Sequence, residues 1–148
     1  MLDAHGVSYR HLTHEATPTS ADAARARGVP LGIGGKALVI KAEDRFVLVV
    51  FSAARKLDSG ALRRELGVRK SRFAKPGELM ELTGLVPGSV PPFGEPILPL
   101  PLFVDESVFD NDEIAFNAGS LTDSIIMPAA GYRRLARIER VVDITRTH

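Results

Sequence analysis

The stretch Gly34-Gly35-Lys36-Ala37-Leu38-Val39-Ile40-Lys41-Ala42-Glu43-Asp44-Arg45-Phe46-Val47-Leu48-Val49-Val50-Phe51 decides the fold. Lys36 to Lys41 and Phe46 to Phe51 are apolar runs, too short for helices and rich in β-branched residues. Glu43-Asp44-Arg45 separates them, so the pattern predicts a β-hairpin. The hairpin opens on a cation. Lysine is among the residues least often fully buried. A glycine pair before it lets another backbone approach closely, which suits a site for an anionic ligand. The competing reading is a lysine that snorkels to water at a strand end.

Working outward, Met1 to His5 reads as the last turn of a helix stopped by Gly6, and Tyr9 to His14 as a strand. Thr19-Ser20-Ala21-Asp22 is a helix start and Gly28 its stop. Beyond the hairpin, Asp58 or Ser59 caps a helix to Leu66, and Gly67 ends it. Ser71 to Ala74 is a short strand. Pro76 suits the first position of a helix through Leu82, ended by Gly84. A Pro/Gly-rich loop then runs to Pro101. Long loops are usually functional or disordered, and Val86, Val90, Phe93 and Ile97 favour an ordered, functional one. Leu102 to Asp105, Glu113 to Asn117, Ser124 to Met127 and Val141 to Ile144 read as strands, and Ala129 to Arg137 as a helix. Helices and strands alternate early, while hairpins dominate later. The expectation is one mixed α/β domain over residues 1–148, its sheet curled toward a barrel and surrounded by helices.

The 148 residues suffice for one domain with a core. An apolar fraction of 45% and a charged fraction of 25% are ordinary for a soluble globular protein. Net charge is only +1, so any nucleic-acid contact should be local. The absence of cysteine removes disulfides, thiolate catalysis and cysteine zinc sites. Met1-Leu2-Asp3 does not open a signal peptide, and no apolar run approaches a membrane span; a cytoplasmic protein is expected.

Several motifs fail on context. Gly32-Ile33-Gly34-Gly35-Lys36-Ala37 matches G-x-G-x-x-A, but a dinucleotide fingerprint follows a strand and opens a helix, whereas these glycines precede a strand. A P-loop fails at both ends, at Pro30 and Ala37. His11, His14 and Glu15 lack metal-ligand spacing, because strand positions three apart face opposite ways. Ser20 has no nucleophile elbow around it and reads as a helix cap.

Four segments in order carry a stronger signal: His14 to Ala24 (HEATPTSADAA), Gly35 to Lys41 (GKALVIK), Leu82 to Gly94 (LTGLVPGSVPPFG) and Ile114 to Gly119 (IAFNAG). With them the chain resembles the YbaK and prolyl-tRNA synthetase-associated editing domain family. It is most similar to the free-standing trans-editing members, especially the YeaK-like branch. The resemblance spans nearly the whole chain. It implies a single α/β domain with a mixed, barrel-like sheet, no metal and no organic cofactor. The implied activity is hydrolysis of the ester joining a wrong amino acid to a tRNA 3′ end. Lys36 then matches the lysine that holds the terminal adenosine and its phosphate region. Gly88 and Pro92 lie in the matching G-x-x-x-P loop. Thr19 and Ser20 match an early Thr-Ser pair, and Asn117 and Gly119 fall in the fourth segment beside the pocket. The wall that chooses the amino acid is expected near Ser124.

The chemistry is coherent from first principles. An aminoacyl ester is already activated, so catalysis needs positioning and charge stabilisation more than a side-chain nucleophile. Backbone N–H groups around Gly88 are the expected oxyanion donors, with Pro91-Pro92 stiffening the loop, and a water attacks. Arg63, Arg64, Arg69, Lys70, Arg72 and Lys75 form the densest basic stretch. They are expected to meet phosphates of the tRNA acceptor stem, Arg69, Lys70 and Arg72 foremost, and such contacts position without specifying; the opposing reading is a solvated helix face, since Glu65 interrupts the run. The resemblance leans toward alanine or 2-aminobutyrate on proline tRNA, with prolyl-tRNA synthetase as a further partner. The alternatives are a non-catalytic RNA- or synthetase-binding module and a small-nucleotide binder or hydrolase.

Overall fold

A computed structural model describes residues 9–14, 24–25, 28, 30–95 and 97–147. The turn at Met1–Gly6 and the cap at Thr19-Ser20 lie outside the described residues. Strand β1 is Arg10–Thr13, β2 is Gly35–Ala42 and β3 is Arg45–Ser52. The last two pair antiparallel from Gly35 with Ser52 to Ala42 with Arg45, which is the expected hairpin. Its turn is two residues rather than three, since Arg45 joins β3. Glu43 in that turn has φ 58°. It is tied down by its N–H to the Lys70 carbonyl and by its carboxylate to the Arg69 N–H.

Next come β4 (Arg55–Leu57), helix α1 (Ser59–Leu66), β5 (Ser71–Phe73) and α2 (Pro76–Thr83). Both helices start where the sequence places them; α1 stops at Leu66 as expected, and α2 runs one residue past Leu82 to Thr83 before Gly84 ends it. Asp58 accepts the Ala61 N–H at 3.1 Å, and Gly67 and Gly84 close the ends in the left-handed region. After the long loop follow β6 (Leu102–Asp105), β7 (Glu113–Asn117), β8 (Asp123–Pro128), α3 (Ala129–Leu135), β9 (Ile138–Val142) and β10 (Thr145–Thr147). The last helix ends before Arg137, because Ile138 is already paired with Leu102 of β6. Of the strand expected at Val141–Ile144, Val141 and Val142 end β9, while Asp143 and Ile144 form the link to β10. Strands β4 and β10, which pair with each other, are three residues each and too short to show a period.

The main sheet has the order β5-β2-β3-β6-β9 and is mixed. β2 pairs antiparallel with β3 and β5, while β6 runs parallel to both β3 and β9. Of the late strands only β7 and β8 form a hairpin; β6 and β9 reach the main sheet by crossovers. Both faces of the main sheet are covered, which is why its central strands read as unbroken apolar runs. Ala37, Val39, Leu48, Val50, Leu102 and Val104 face one cluster, with Phe93, Ile114, Phe116 and Tyr132. Ile40, Val47, Val49, Phe51 and Phe103 face the other, with Leu62, Val142 and Ile144.

A second sheet, β1-β8-β7, meets the first at a parallel bridge between Gly34 and Ala115. A Cβ on Gly35 would lie 2.7 Å from Ile114 Cδ1. The glycine pair thus does admit a second backbone, and that backbone is β7. The curl toward a barrel takes the form of this seam; the strands do not close into one. No helix among the described residues is long and apolar enough to cross a membrane.

Candidate active site

Val86-Pro87-Gly88-Ser89 forms a tight turn. The Ser89 N–H donates to the Val86 carbonyl at 3.1 Å, and the Ser89 hydroxyl donates to the same oxygen at 2.8 Å. Gly88 has φ +87°. Proline at the second position and a positive-φ glycine at the third are the signature of a type II turn. The turn consumes the Ser89 N–H but leaves the Gly88 N–H without a partner among the described residues. A side chain at Gly88 would be strained, and its Cβ would lie 3.3 Å from Leu121.

The chain after this turn is pinned to the core. Val90 and Phe93 are buried, whereas Val86 and Ile97 are exposed. Phe93 meets Phe116 and Tyr132 edge-on at 5.5 and 5.3 Å. The Tyr132 hydroxyl donates to the Pro92 carbonyl at 2.6 Å. Burial pushes the Tyr132 phenol far up, so it stays a donor. Pro92 is itself buried; its part in the site is to anchor the turn through that carbonyl.

The turn is also held from the second sheet. Asn117, at the end of β7, donates its amide N–H to the Gly88 carbonyl. Ser124 stands opposite Asn117 on β8. Its fully buried hydroxyl lies 3.4 Å from Asn117 Oδ1 and 2.7 Å from His14 Nε2. One polar chain therefore runs from His14 through Ser124 and Asn117 to Gly88. Gly119, with φ +82°, turns the chain just beyond it. His11 takes the other face, with Nε2 3.1 Å from Asp123 Oδ1. That contact, first among its causes, holds the Asp123 carboxyl below the usual range.

Lys36 is exposed and stands opposite Phe51 in the hairpin. It makes no hydrogen bond or ion pair among the described residues. In the absence of ligand its amine is therefore in water. Because the Gly34–Ala115 bridge is parallel, Lys36 and Asn117 each lie two residues beyond it in the same direction. Gly88, Asn117 and Ser124 are thus linked by hydrogen bonds; Lys36 is level with Asn117 along the seam, and with Phe51 it takes the face of the main sheet opposite to Phe93 and Phe116. Thr19 and Ser20 lie outside the described residues. Of the basic residues expected to meet tRNA, Arg72 is locked onto Glu78 by two bonds of 2.7 and 2.9 Å, while Arg69 and Lys70 are exposed. The sequence reading passed over His14 and Tyr132. His14 opens the first of the four ordered segments, a signal that a search for metal spacing discarded; Tyr132 carries no local signal.

The family model described as aminoacyl-tRNA editing domain matches residues 14–135. A relative from Escherichia coli K12, described as a multifunctional Ser/Thr-tRNA deacylase ProXp-y, is 39% identical over 95% of this chain and 87% of its own length. A proline–tRNA ligase from Shouchella clausii is 30% identical over 79% of this chain, a match confined to 20% of that protein. Among solved structures, a proposed trans-editing enzyme for prolyl-tRNA synthetase superimposes with a TM-score of 0.82 at 29% identity, covering 98% of this chain and 92% of the other. The hypothetical protein APE2540 has the same fold, with a TM-score of 0.85 at 23% identity over 98% of this chain and 96% of the other.

Proposed function

The chain belongs to the aminoacyl-tRNA editing domain family, and from that premise we propose that it hydrolyses the ester between a noncognate amino acid and the 3′ end of a tRNA. The observation that carries this reading is the turn at Gly88. Among the described residues its N–H has no partner, its carbonyl is fixed by Asn117, and its flank is bolted to the core through Pro92 and Phe93. A rigid, unsatisfied donor is what an ester carbonyl needs as it becomes an oxyanion.

In this mechanism water adds to the ester carbonyl carbon and the negative charge forms on the carbonyl oxygen, facing the Gly88 N–H. The bond to the ribose oxygen then breaks. The ribose oxygen takes the proton that the attacking water gives up, so the products are the free amino acid and an intact 3′ end. Lys36 serves as a clamp on the phosphate region of the terminal nucleotide, a task suited to an exposed, flexible cation. His14, Ser124 and Asn117 position the turn.

The substrate we favour bears a side-chain hydroxyl. The E. coli relative is described as acting on Ser/Thr-tRNA. The Asn117 amide holds the turn, and the chain segment that reaches Gly88 through Leu121 carries hydroxyls on either side of it, Ser120 and Thr122, 2.8 Å apart. A site that hydrogen-bonds a hydroxyl rejects an analogue lacking it by about 10⁴-fold or more, whereas an apolar pocket gains only about 10–200-fold from one methylene. This favours seryl and threonyl esters over the alanyl or 2-aminobutyryl esters to which the family resemblance leaned. Proline tRNA remains the proposed carrier, and the cytoplasm the proposed compartment.

The test is direct. Proline tRNA charged with serine, threonine, alanine, 2-aminobutyrate, cysteine or proline is incubated with the protein, and loss of the ester is followed. Seryl or threonyl ester should go fastest, and Lys36→Ala should abolish turnover. No loss of any ester, with tRNA still bound, would replace the enzyme by a binding module. Full turnover by Lys36→Ala would remove the clamp.

A further inference from the structure

The seam leads away from the Gly88 turn toward a cationic surface built from three separate parts of the chain. β4 and β10 pair with Lys56 directly opposite Arg146. Thr145 and Leu57, the neighbouring pair, turn inward; Thr145 is buried and Leu57 packs on the core. Lys56 and Arg146 therefore share the outer face, and both are exposed. Like charges facing each other across a ladder are destabilising. Neither forms an ion pair among the described residues.

Helix α1 adds to the same surface. Arg64 and Arg146 both act on the Asp58 carboxylate, after its bond from the Ala61 N–H, and hold it below the usual range. A Cβ on Gly60 would sit 3.5 Å from Arg64 Nη1 and 3.9 Å from Arg63 Nη2, so both guanidinium groups lean back toward that end of the helix. Arg64 and Arg146 thus flank Asp58, with Arg63 beside Gly60 and Lys56 opposite Arg146. Asp143, the other carboxylate on this part of the chain, is exposed and pairs with none of them. Glu65, which interrupts the arginine run in sequence, is turned away onto Arg140 of β9 at 3.3 Å.

The surface is rigid. Buried Asp105 accepts the Ile144 N–H at 2.8 Å, the Thr145 hydroxyl at 2.9 Å and the Ser107 N–H at 3.1 Å. The Asp58 N–H donates to the Ile144 carbonyl at 2.7 Å. β10 is therefore stapled at its start, and Arg146 is carried on it. Lys36 lies at the same end of the sheet, since Gly35 pairs with Ser52 and β4 begins three residues later.

We infer that Lys56, Arg146, Arg63 and Arg64 form the docking surface for the phosphate backbone of the tRNA acceptor stem, continuing from the terminal nucleotide held at Lys36. This rests on the reading of the substrate as an aminoacyl-tRNA. A duplex backbone matches the surface because it supplies closely spaced anions to four cations, of which Arg64 and Arg146 share the single carboxylate of Asp58. Arg72 is a poorer anchor, since Glu78 already holds its guanidinium.

The experiment has two arms. Binding of uncharged proline tRNA is measured by fluorescence anisotropy across a salt series for the wild type, Lys56→Gln/Arg146→Gln, Lys56→Glu/Arg146→Glu and a control, Arg69→Gln/Arg72→Gln. Ester hydrolysis is measured with full charged tRNA and with the aminoacyl-adenosine fragment. The neutralised pair should weaken tRNA binding about tenfold and reduce the slope of log affinity against log salt by about 2, with charge reversal doing more and the control less. KM for full tRNA should rise, while turnover of the fragment stays at the wild-type level. Unchanged tRNA affinity and slope in both variants would overturn the inference, as would an equal loss on the fragment. If the wild type cleaves neither ester, the deacylase reading fails, yet the anisotropy arm still decides the surface.

Discussion

Asn117 is where the site is most vulnerable to a single change. Its amide holds the Gly88 carbonyl from one side while Ser124 lies on the other. Removing it frees the turn, and a displacement of about 1 Å in a positioning element costs on the order of 10²-fold. Asn117→Ala should lower kcat on the charged fragment by about that factor and cost about 1–3 kcal/mol of stability, since both Gly88 and Ser124 lose a hydrogen bond. Asn117→Asp should be no better, because it replaces a donor by a carboxylate facing a carbonyl. Steady-state kinetics beside a thermal melt separate the two effects; equal turnover for all three proteins would remove Asn117 from the site. At this scale the sequence showed where a cation and a glycine turn sit. It could not show that the Asn117 amide reaches Gly88, because that contact spans 29 positions and depends on the β7–β8 register.

Among the elements, the loop from Gly84 to Pro101 is held by side chains and close backbone contacts rather than by ladders. A Cβ on Gly94 would stand 2.5 Å from the Leu100 carbonyl oxygen, a backbone atom with little freedom. Gly94→Ala should therefore destabilise by about 1–3 kcal/mol, as overpacking does, and loosen the loop that carries Gly88. Chemical denaturation and fragment hydrolysis should both register it; wild-type values in both would sink the account. The link between β5 and α2 offers a pH test. Arg72, by its hydrogen bonds, and next the Lys75 N–H hold the Glu78 carboxyl down at about 2, from 4.5. A depressed carboxylate contributes stability that is fully present above 4.5 and is lost as pH falls toward 2. The melting temperature should decline through that window, and Glu78→Gln should remove this part of the decline. An identical profile in the variant would refute it. The helices here were legible because Asp58, Gly67, Pro76 and Gly84 are local signals. The parallel placement of β6 and β9 was not, since strand direction is set by crossovers and shared burial. β4 and β10 escaped notice for want of length, and Lys56 and Arg146 escaped with them, although Arg63 and Arg64 stood out in the basic stretch.

Over the whole molecule, the main sheet separates two tasks. One face packs the Gly88 loop and the second sheet through Phe93, Phe116 and Tyr132. The other packs α1 and the link into β10 through Leu62 and Ile144. A net charge of +1 hides this division, because it averages an edge where Glu78 pairs with Arg72 and a surface where Lys56, Arg63, Arg64 and Arg146 outnumber Asp58. Damage to the two faces should then have different consequences. Leu62 is 1% exposed, and Leu62→Ala should cost about 2–5 kcal/mol by opening a cavity. It should also raise KM for charged tRNA, because α1 carries Arg63 and Arg64. It should leave kcat on the aminoacyl-adenosine fragment near wild type at temperatures where the variant is folded by circular dichroism. Phe93→Leu, a milder change in volume, should do the reverse, lowering kcat on the fragment at least tenfold with little effect on tRNA affinity. If both variants lose fragment turnover in proportion to their lost stability, the faces are not functionally separate, and the site depends on the fold only as a whole.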